Sequence, residues 1–212
     1  MLDRRDINNY DGLDLRGNNY INCDLSCHEF NKSNLSGVIF KNCYIGKSLF
    51  KDATLTGAKF INCFIHGSIF KNAIMDECIF EECNIYYSIF DKASLNKCSF
   101  IRSNLKGSDF IESNLEGSNL QRAVLALVCF KGANLRNTNL SRSRLMLTNF
   151  RKADLSGAKM KYLDLRQGEF YKTNLSDVDM SNSIFEDKMF VKCIVTNPKL
   201  YNIEWEQKDL FR

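Results

Sequence analysis

The nine cysteines and two histidines are the side chains of this sequence most capable of metal binding or nucleophilic chemistry. Cys23, Cys27 and His28 lie close enough in sequence to form part of a zinc site, since zinc takes thiolate and imidazole ligands. However, no two cysteines are separated by only two residues, and a catalytic base would also need a nucleophile and an orienting partner. We therefore predict no catalytic residue, no metal site and no cofactor. An enzyme built on these three residues is the least favoured alternative.

The cysteines instead follow a repeat. Seven of the nine fall on one position of a five-residue pattern that continues without an insertion from Leu15 to Trp205. Every fifth residue in this frame is large and apolar, and the residue two positions before it is small, such as Cys43, Ser48 or Ala53. Neither the period of a helix nor that of a strand fits a pattern of this length. We therefore expect these two positions of each pentad to point inward and the other three to face water.

The small inward positions also show a longer period of twenty residues. One series consists of Cys23, Cys43, Cys63 and Cys83, and another of Ser48, Ser68, Ser88 and Ser108. Twenty residues therefore form one turn of a solenoid with four sides, and residues twenty apart stack at about 4.8 Å. We expect about ten such coils, with Phe inside one pair of opposite sides and Leu or Ile inside the other. The stacked cysteines should be buried and reduced, whereas Cys27 and Cys129 should face outward.

Several pentads resemble the consensus of the pentapeptide-repeat family, among them 113–117, 133–137 and 153–157. The resemblance implies an all-β fold, a right-handed quadrilateral β-helix. We interpret residues 1–212 as a single domain of this kind, with repeats from about residue 13 to about residue 200. Residues 201–212 then form a tail that caps the last coil or mediates dimerisation.

The sequence also bears on the location of the protein. No stretch reaches the roughly 18 consecutive apolar residues of a membrane span. The first residues, Met1–Asp6, lack the apolar run of a secretory signal peptide. We therefore expect a cytoplasmic protein that does not bind a membrane. Free cysteines are consistent with a reducing cytosol.

Positive charge is concentrated in the middle of the chain. Residues 101–172 carry 13 basic and 6 acidic side chains, within a whole-chain net charge of +4. Three of these basic residues are spaced by twenty and should stack on one side: Arg102, Arg122 and Arg142. Such a ladder suits an anionic partner, because like charges at this distance repel. The alternative is a solvated face that nearby acidic residues neutralise.

Apolar side chains interrupt the polar outward positions in two neighbouring coils. Within the pentads 123–127 and 143–147 these are Val124, Ala126, Leu127, Met146 and Leu147, with Arg144 among them. Stacked exposed apolar residues mark a contact surface more often than they occur by accident. Together with the three arginines, these residues form our candidate interaction surface, for a second copy of the chain or another protein. The alternative is a side covered by long neighbouring side chains.

The C-terminal tail departs from the repeat after about Val195 and is rich in aromatic residues. An open solenoid exposes unpaired backbone at its ends and needs caps. We predict that Trp205, Leu210 and Phe211 cover the last coil or pair with a second copy. Some members of the family dimerise through their C-terminal ends, so the resemblance makes a homodimer one option.

Two functions are consistent with this sequence. The leading hypothesis is a non-catalytic, rigid scaffold that binds another protein, whose identity the repeat does not encode. The resemblance supplies the alternative, a DNA-mimic-like protector or inhibitor of DNA gyrase or topoisomerase IV. DNA carries one negative charge per roughly 1.7 Å of its axis, whereas this chain is net positive. Direct binding of nucleic acid is not favoured either, because such a footprint is more basic and interleaved with aromatic residues.

Overall fold

The chain winds as an all-β solenoid in the computed structural model, which describes residues 8–186 and 189–206. Each pentad forms one short straight side and then a two-residue turn. Six sides are long enough to be strands: β1 (Asn19–Ile21), β2 (Ile39–Lys41), β3 (Lys59–Ile61), β4 (Ile79–Glu81), β5 (Ile184–Glu186) and β6 (Glu204–Glu206). The other sides pair through single residues. Nowhere in the described ranges is there a helix long and apolar enough to cross a membrane.

Residues twenty apart pair in parallel, as Tyr20 does with Phe40 and Phe40 with Phe60. Strands β1 to β4 form one sheet in chain order, and β5 pairs with β6. We name the four sides by the first and last of their paired residues: side 1 (Asp24 to Glu204), side 2 (Asn9 to Glu169), side 3 (Asp14 to Ile194) and side 4 (Asn19 to Lys199). The twenty-residue coil with four sides is therefore confirmed.

The core is one continuous cluster from Leu15 to Phe185. Phenylalanines fill side 2 and, up to Phe100, the opposite side 4, whereas Leu, Ile or Met fill most of sides 1 and 3, as expected. From Leu120 onward side 4 holds Leu and Met instead, and side 1 ends its core with Phe185, so the expected division of residue types holds only in part. On side 4 the rings of Phe40 and Phe60 stack with centroids 4.7 Å apart. This distance matches the spacing of about 4.8 Å between paired strands. Ring stacking and backbone pairing therefore have the same period.

The small inward residues have their polar atoms satisfied. The hydroxyl of Ser48 donates to the carbonyl oxygen of Leu25 at 2.6 Å, one coil below. Burial raises the pKa of Cys43 and, more strongly, that of Cys78, so these thiols stay neutral. Cys23 was expected to be buried too but is only half-buried. The position one coil below it is residue 3, outside the described range, and no described residue covers it from that side.

The turns are made by residues with left-handed backbone at the second position of the described corners, with the exception of Gln167. Glycine serves there at Gly37, with a φ of 71°, but most corners use other residues, such as Asn42 at 54° and Arg102 at 59°. Side-chain amides help at one corner, where Asn42 Nδ2 donates to Asn22 Oδ1 at 3.0 Å. The chain thus turns at every side with few glycines.

The repeat weakens near its C-terminal end. Val195 was expected to point inward but is 44% exposed, and that expectation is wrong. The buried core ends at Phe185, so Val195 lies in the coil beyond the last buried layer. The backbone of Trp205 lies in β6 and pairs with Phe185. Leu210 and Phe211, the other two residues of the proposed cap, lie outside the described residues.

Candidate protein-interaction surface

The arginines and apolar residues that the sequence singles out lie around one side of the solenoid. Val124 and Arg144 are ladder residues of side 1 itself and pair with each other. The corner between sides 4 and 1, the arginine corner, consists of Arg102, Arg122 and Arg142. The corner between sides 1 and 2, the apolar corner, consists of Leu127, Met146 and Leu147. We call side 1 with these two corners the side-1 surface.

The apolar corner is open to solvent. Leu127, Met146 and Leu147 are 45%, 53% and 54% exposed. Ala126 was expected to share this exposure but is buried, at 7%, so that expectation is wrong. Lys106 and Met146 occupy the same corner position one coil below and above it, and their longer side chains cover its single methyl group. Val124, also expected to be outward, is half-buried in the ladder.

Four arginines of the side-1 surface form no ion pair with any described residue: Arg102, Arg122, Arg142 and Arg144. Of the acidic residues near them, Asp164 pairs instead with Arg166 at 2.6 Å. Glu82 occupies the arginine-corner position one coil below Arg102 but forms no ion pair with a described residue. The upper part of this surface, at Arg122, Arg142 and Arg144, therefore carries a net positive charge.

Side 1 is interrupted between Arg144 and Asp164. This is the one pair at twenty-residue spacing that is missing from the four ladders within residues 8–186. In the coil below, the amides of Leu125 and Leu127 donate to the next coil at 2.9 Å each. The equivalent amides of Leu145 and Leu147 have no acceptor among the described residues. A cleft of about 300 Å³ opens here, lined by Ser143, Arg144, Leu145, Met146, Asp164 and Gln167.

Two inward residues of the next coil explain the interruption. The inward position before side 1 holds Cys, Ser or Ala from residue 23 to residue 143, but it holds Leu163 in this coil. Leu163 is 2% exposed, so its extra bulk enters the core directly above Ser143. The inward position after side 1 holds Gly168, where an added Cβ would lie 2.6 Å from Cε2 of Phe170. An oversized residue at one end and a missing side chain at the other displace this stretch and open side 1.

A second cationic surface lies at the diagonally opposite corner, between sides 2 and 3, and sequence reasoning missed it. Lys152, Lys172 and Lys192 stack there, next to Tyr171. The cations of Arg151, Lys172 and Lys192 lie 5.1, 5.4 and 5.7 Å from the ring centroid of Tyr171. The twenty-residue spacing that identified the arginines was equally available for these lysines. We call this the lysine corner.

Cys23, Cys27 and His28 do not converge on a site. Cys23 packs against the core, whereas Cys27 is exposed at a corner. The His28 ring stacks on Phe30 at 6.2 Å, and its Nδ1 lies 3.0 Å from the carbonyl oxygen of Ser26. In the part of the chain that the structure describes, no group of three or more side chains is placed to hold a metal ion. Cys129, expected to face outward, is half-buried on side 2.

Comparison with protein families identifies the repeat. The model of a pentapeptide repeat region matches residues 14–90 and 73–150, and a model of eight pentapeptide repeats matches residues 148–187. Together these matches cover most of the chain. Comparison with curated proteins finds no match.

Two solved structures are similar to this chain over most of its length. HetL, a pentapeptide repeat protein involved in heterocyst differentiation regulation from the cyanobacterium Nostoc sp. strain PCC 7120, has 17% sequence identity and a TM-score of 0.52. The match covers 95% of this chain and 91% of HetL. Full-length QnrB1, a plasmid-mediated fluoroquinolone resistance protein, has 18% identity and a TM-score of 0.52, over 89% of this chain and 94% of QnrB1. At these identities the likeness shows the fold alone.

Proposed function

Because the chain belongs to the pentapeptide-repeat family, whose members are generally non-catalytic, we propose that it is a rigid scaffold that binds an acidic partner protein through the side-1 surface. The observation that carries this proposal is the combination of four arginines without ion pairs and three exposed apolar residues around one side of the rod. The buried core of a protein interface is more apolar than the rest of the surface and is enriched in methionine and arginine, and arginine is also enriched among the strongest contacts.

The charge of the surface supports an acidic partner over a second copy of the chain. Two copies that met through their side-1 surfaces would bring eight unpaired arginines together, and like charges across an interface are costly. An acidic surface would instead be steered towards the arginine corner and would associate faster at low salt. A homodimer formed through the tail is a separate proposal, and the molar mass in ultracentrifugation tests it.

The arrangement also favours a preorganised surface. The guanidinium of Arg142 lies 4.6 Å from the ring centroid of Tyr162, which holds it at the corner. In the coils before the interruption, the backbone beneath the surface is fixed by fully buried layers such as Leu105 and Leu125. A rigid surface loses little conformational entropy when it binds. This suits a scaffold better than an enzyme that must close around a substrate.

The test is affinity capture from the native cell with matched charge-reversal variants. The first variant is Arg122→Glu with Arg142→Glu, and the control is Lys172→Glu with Lys192→Glu at the lysine corner. Both change the net charge equally and alter exposed residues only. We expect the first variant to lose a partner that the wild type and the control retain. Retention by both variants, at unchanged thermal stability, would refute the proposal.

Protection of DNA gyrase or topoisomerase IV is the rival function. The likeness to QnrB1 concerns the fold, and the cationic corners oppose DNA mimicry, which requires negative charge along the rod. A gyrase supercoiling assay with a quinolone discriminates the two. If the purified chain relieves drug inhibition, the rival function gains support and the acidic-partner proposal loses it.

A further inference from the structure

We propose that the cleft in side 1 binds an extended segment of the acidic partner, which pairs its main chain with the open edge at Leu145 and Leu147 and places a carboxylate beside Arg144. The inference rests on the proposed function, because the cleft lies within the side-1 surface. It adds the mode of binding and the chemistry of the segment that is recognised.

The open edge has the hydrogen-bonding pattern of an unpaired strand. The amides of Leu145 and Leu147 face the cleft, because the equivalent amides in other coils donate across this boundary to the next coil. The carbonyl oxygen of Ser143 occupies the position at which Ser103 accepts from the amide of Val124 at 3.0 Å. On the straight side, the carbonyl oxygen of Ser143 and the amide of Leu145 match the main chain of one residue of an extended peptide, and the amide of Leu147, in the corner with a φ of 56°, offers a further donor.

The rim of the cleft selects the side chains of that segment. Arg144 lines the cleft, is exposed and forms no ion pair with a described residue. Asp164, on the opposite lip, accepts hydrogen bonds from Arg166 at 2.8 and 2.6 Å, so its charge is compensated and does not repel an acidic segment. These hydrogen bonds also lower the pKa of Asp164, which keeps the pair ionised. Met146 adds an apolar contact, so the surface fits a segment that alternates acidic and apolar residues.

The size of the cleft limits what enters it. Its volume of about 300 Å³ lies at the lower end of ligand sites, which span roughly 300–1,000 Å³. This space suits a few residues of extended chain and excludes a helix or a folded element. An exposed strand edge is also a ready template for pairing with another chain. The interruption therefore places a pairing edge inside a surface that is already cationic and apolar.

The direct test uses a blocked hexapeptide of alternating valine and glutamate as the probe, with binding measured by fluorescence anisotropy on the full chain. We expect Arg144→Gln to weaken binding by about tenfold or more, and Lys172→Gln to leave it unchanged. N-methylation of one central valine of the peptide removes a main-chain donor but no charge, and it should weaken binding to a similar degree. Bound peptide should slow hydrogen exchange at Leu145 and Leu147.

A variant that closes the cleft separates this inference from the proposed function. Leu163→Ser restores the small inward residue, and it should re-form the ladder, protect the two amides and abolish peptide binding. The inference is overturned if the wild type does not bind the peptide, or if the N-methylated peptide or the Arg144→Gln variant binds equally well. Because Arg144→Gln changes an exposed side chain, it remains informative even if Leu163→Ser does not fold.

The natural partner provides the last discrimination. If Leu163→Ser, with its ladder re-formed, still captures the partner that the arginine-corner variant loses, the cleft inference fails and the proposed function stands. If both variants capture it, the proposed function fails. If both lose it while the lysine-corner control retains it, both are supported.

Discussion

The phenylalanine rings on side 2 stack one above another through the middle of the molecule. The centroids of Phe50 and Phe70 are 4.7 Å apart, and those of Phe70 and Phe90 are 4.8 Å apart. All three rings are fully buried. A ring in such a stack contacts the coil above and the coil below, so its removal affects both.

We expect Phe70→Ala to lower the free energy of unfolding by about 3–5 kcal/mol, because it leaves a cavity between two rings. The matched control is Phe64→Ala, at an outward position where the side chain is 40% exposed. The control should cost about 1 kcal/mol or less. Urea denaturation measures both, and equal losses would contradict the assignment of inward and outward positions.

The cysteine thiols also differ in exposure. Cys27 is exposed, whereas Cys78 is buried and its pKa is raised by that burial. Since only the thiolate reacts, an alkylating reagent at neutral pH should modify Cys27 and spare Cys78. Mass spectrometry of the alkylated chain identifies the modified residues. Modification of Cys78 at a rate similar to that of Cys27, without unfolding, would contradict the core described above.

At the scale of the element, the described corners each depend on one residue with left-handed backbone, except the corner at Gln167. Gly37 occupies such a position, with a φ of 71°, and an added Cβ would meet nothing within 4 Å. Gly46 lies at the first position of another corner, without positive φ, and a Cβ there would make an ordinary contact of 3.5 Å with the carbonyl oxygen of His66. The two glycines separate backbone strain from steric contact.

Gly37→Ala is expected to destabilise the protein by about 1–2 kcal/mol, the cost of left-handed backbone for a residue with a Cβ. Gly46→Ala should have little effect or stabilise slightly, since the unfolded chain loses freedom. Thermal denaturation of both variants gives the comparison. A larger loss for Gly46→Ala than for Gly37→Ala would contradict the assignment of the corner positions.

The interruption of side 1 shows where sequence reasoning reached its limit at this scale. The five-residue frame assigns Leu165 correctly as a large inward residue, and the frame itself contains no gap. The irregularity is one of size, because Leu163 stands where the frame needs a small residue. Whether an oversized residue deforms a ladder depends on how its neighbours repack, and Gly168 with Phe170 decides that here. The spacing of residues along the chain does not contain this information.

At the scale of the whole molecule, the twenty-residue period predicted the sides, the core and the position of the arginine corner. The period predicted the wrong exposure for residues whose neighbours differ from those in most other coils. Ala126 is covered by longer neighbours, Cys23 lies in the first coils, and Val195 lies beyond the last complete core layer. The lysine corner was missed although the same period contains it.

The backbone of the rod is therefore regular, but its corners differ in charge and in exposed apolar residues. The arginine and lysine corners are diagonally opposite, and the apolar corner lies between sides 1 and 2. In a solenoid each coil contacts only its neighbours, so surface residues can vary without altering the fold. Function is accordingly expected where the decoration departs from the repeat, on the side-1 surface.

The most direct measurement of this claim is site-specific photo-crosslinking in the native cell. One variant carries a photo-crosslinking amino acid in place of Met146, 53% exposed on the side-1 surface, and the control carries it in place of Ile74, 47% exposed on the opposite side 3. We predict a crosslinked partner from position 146 that is absent from position 74. The same partner from both positions, or from position 74 alone, would contradict the assignment of the side-1 surface as the interaction site.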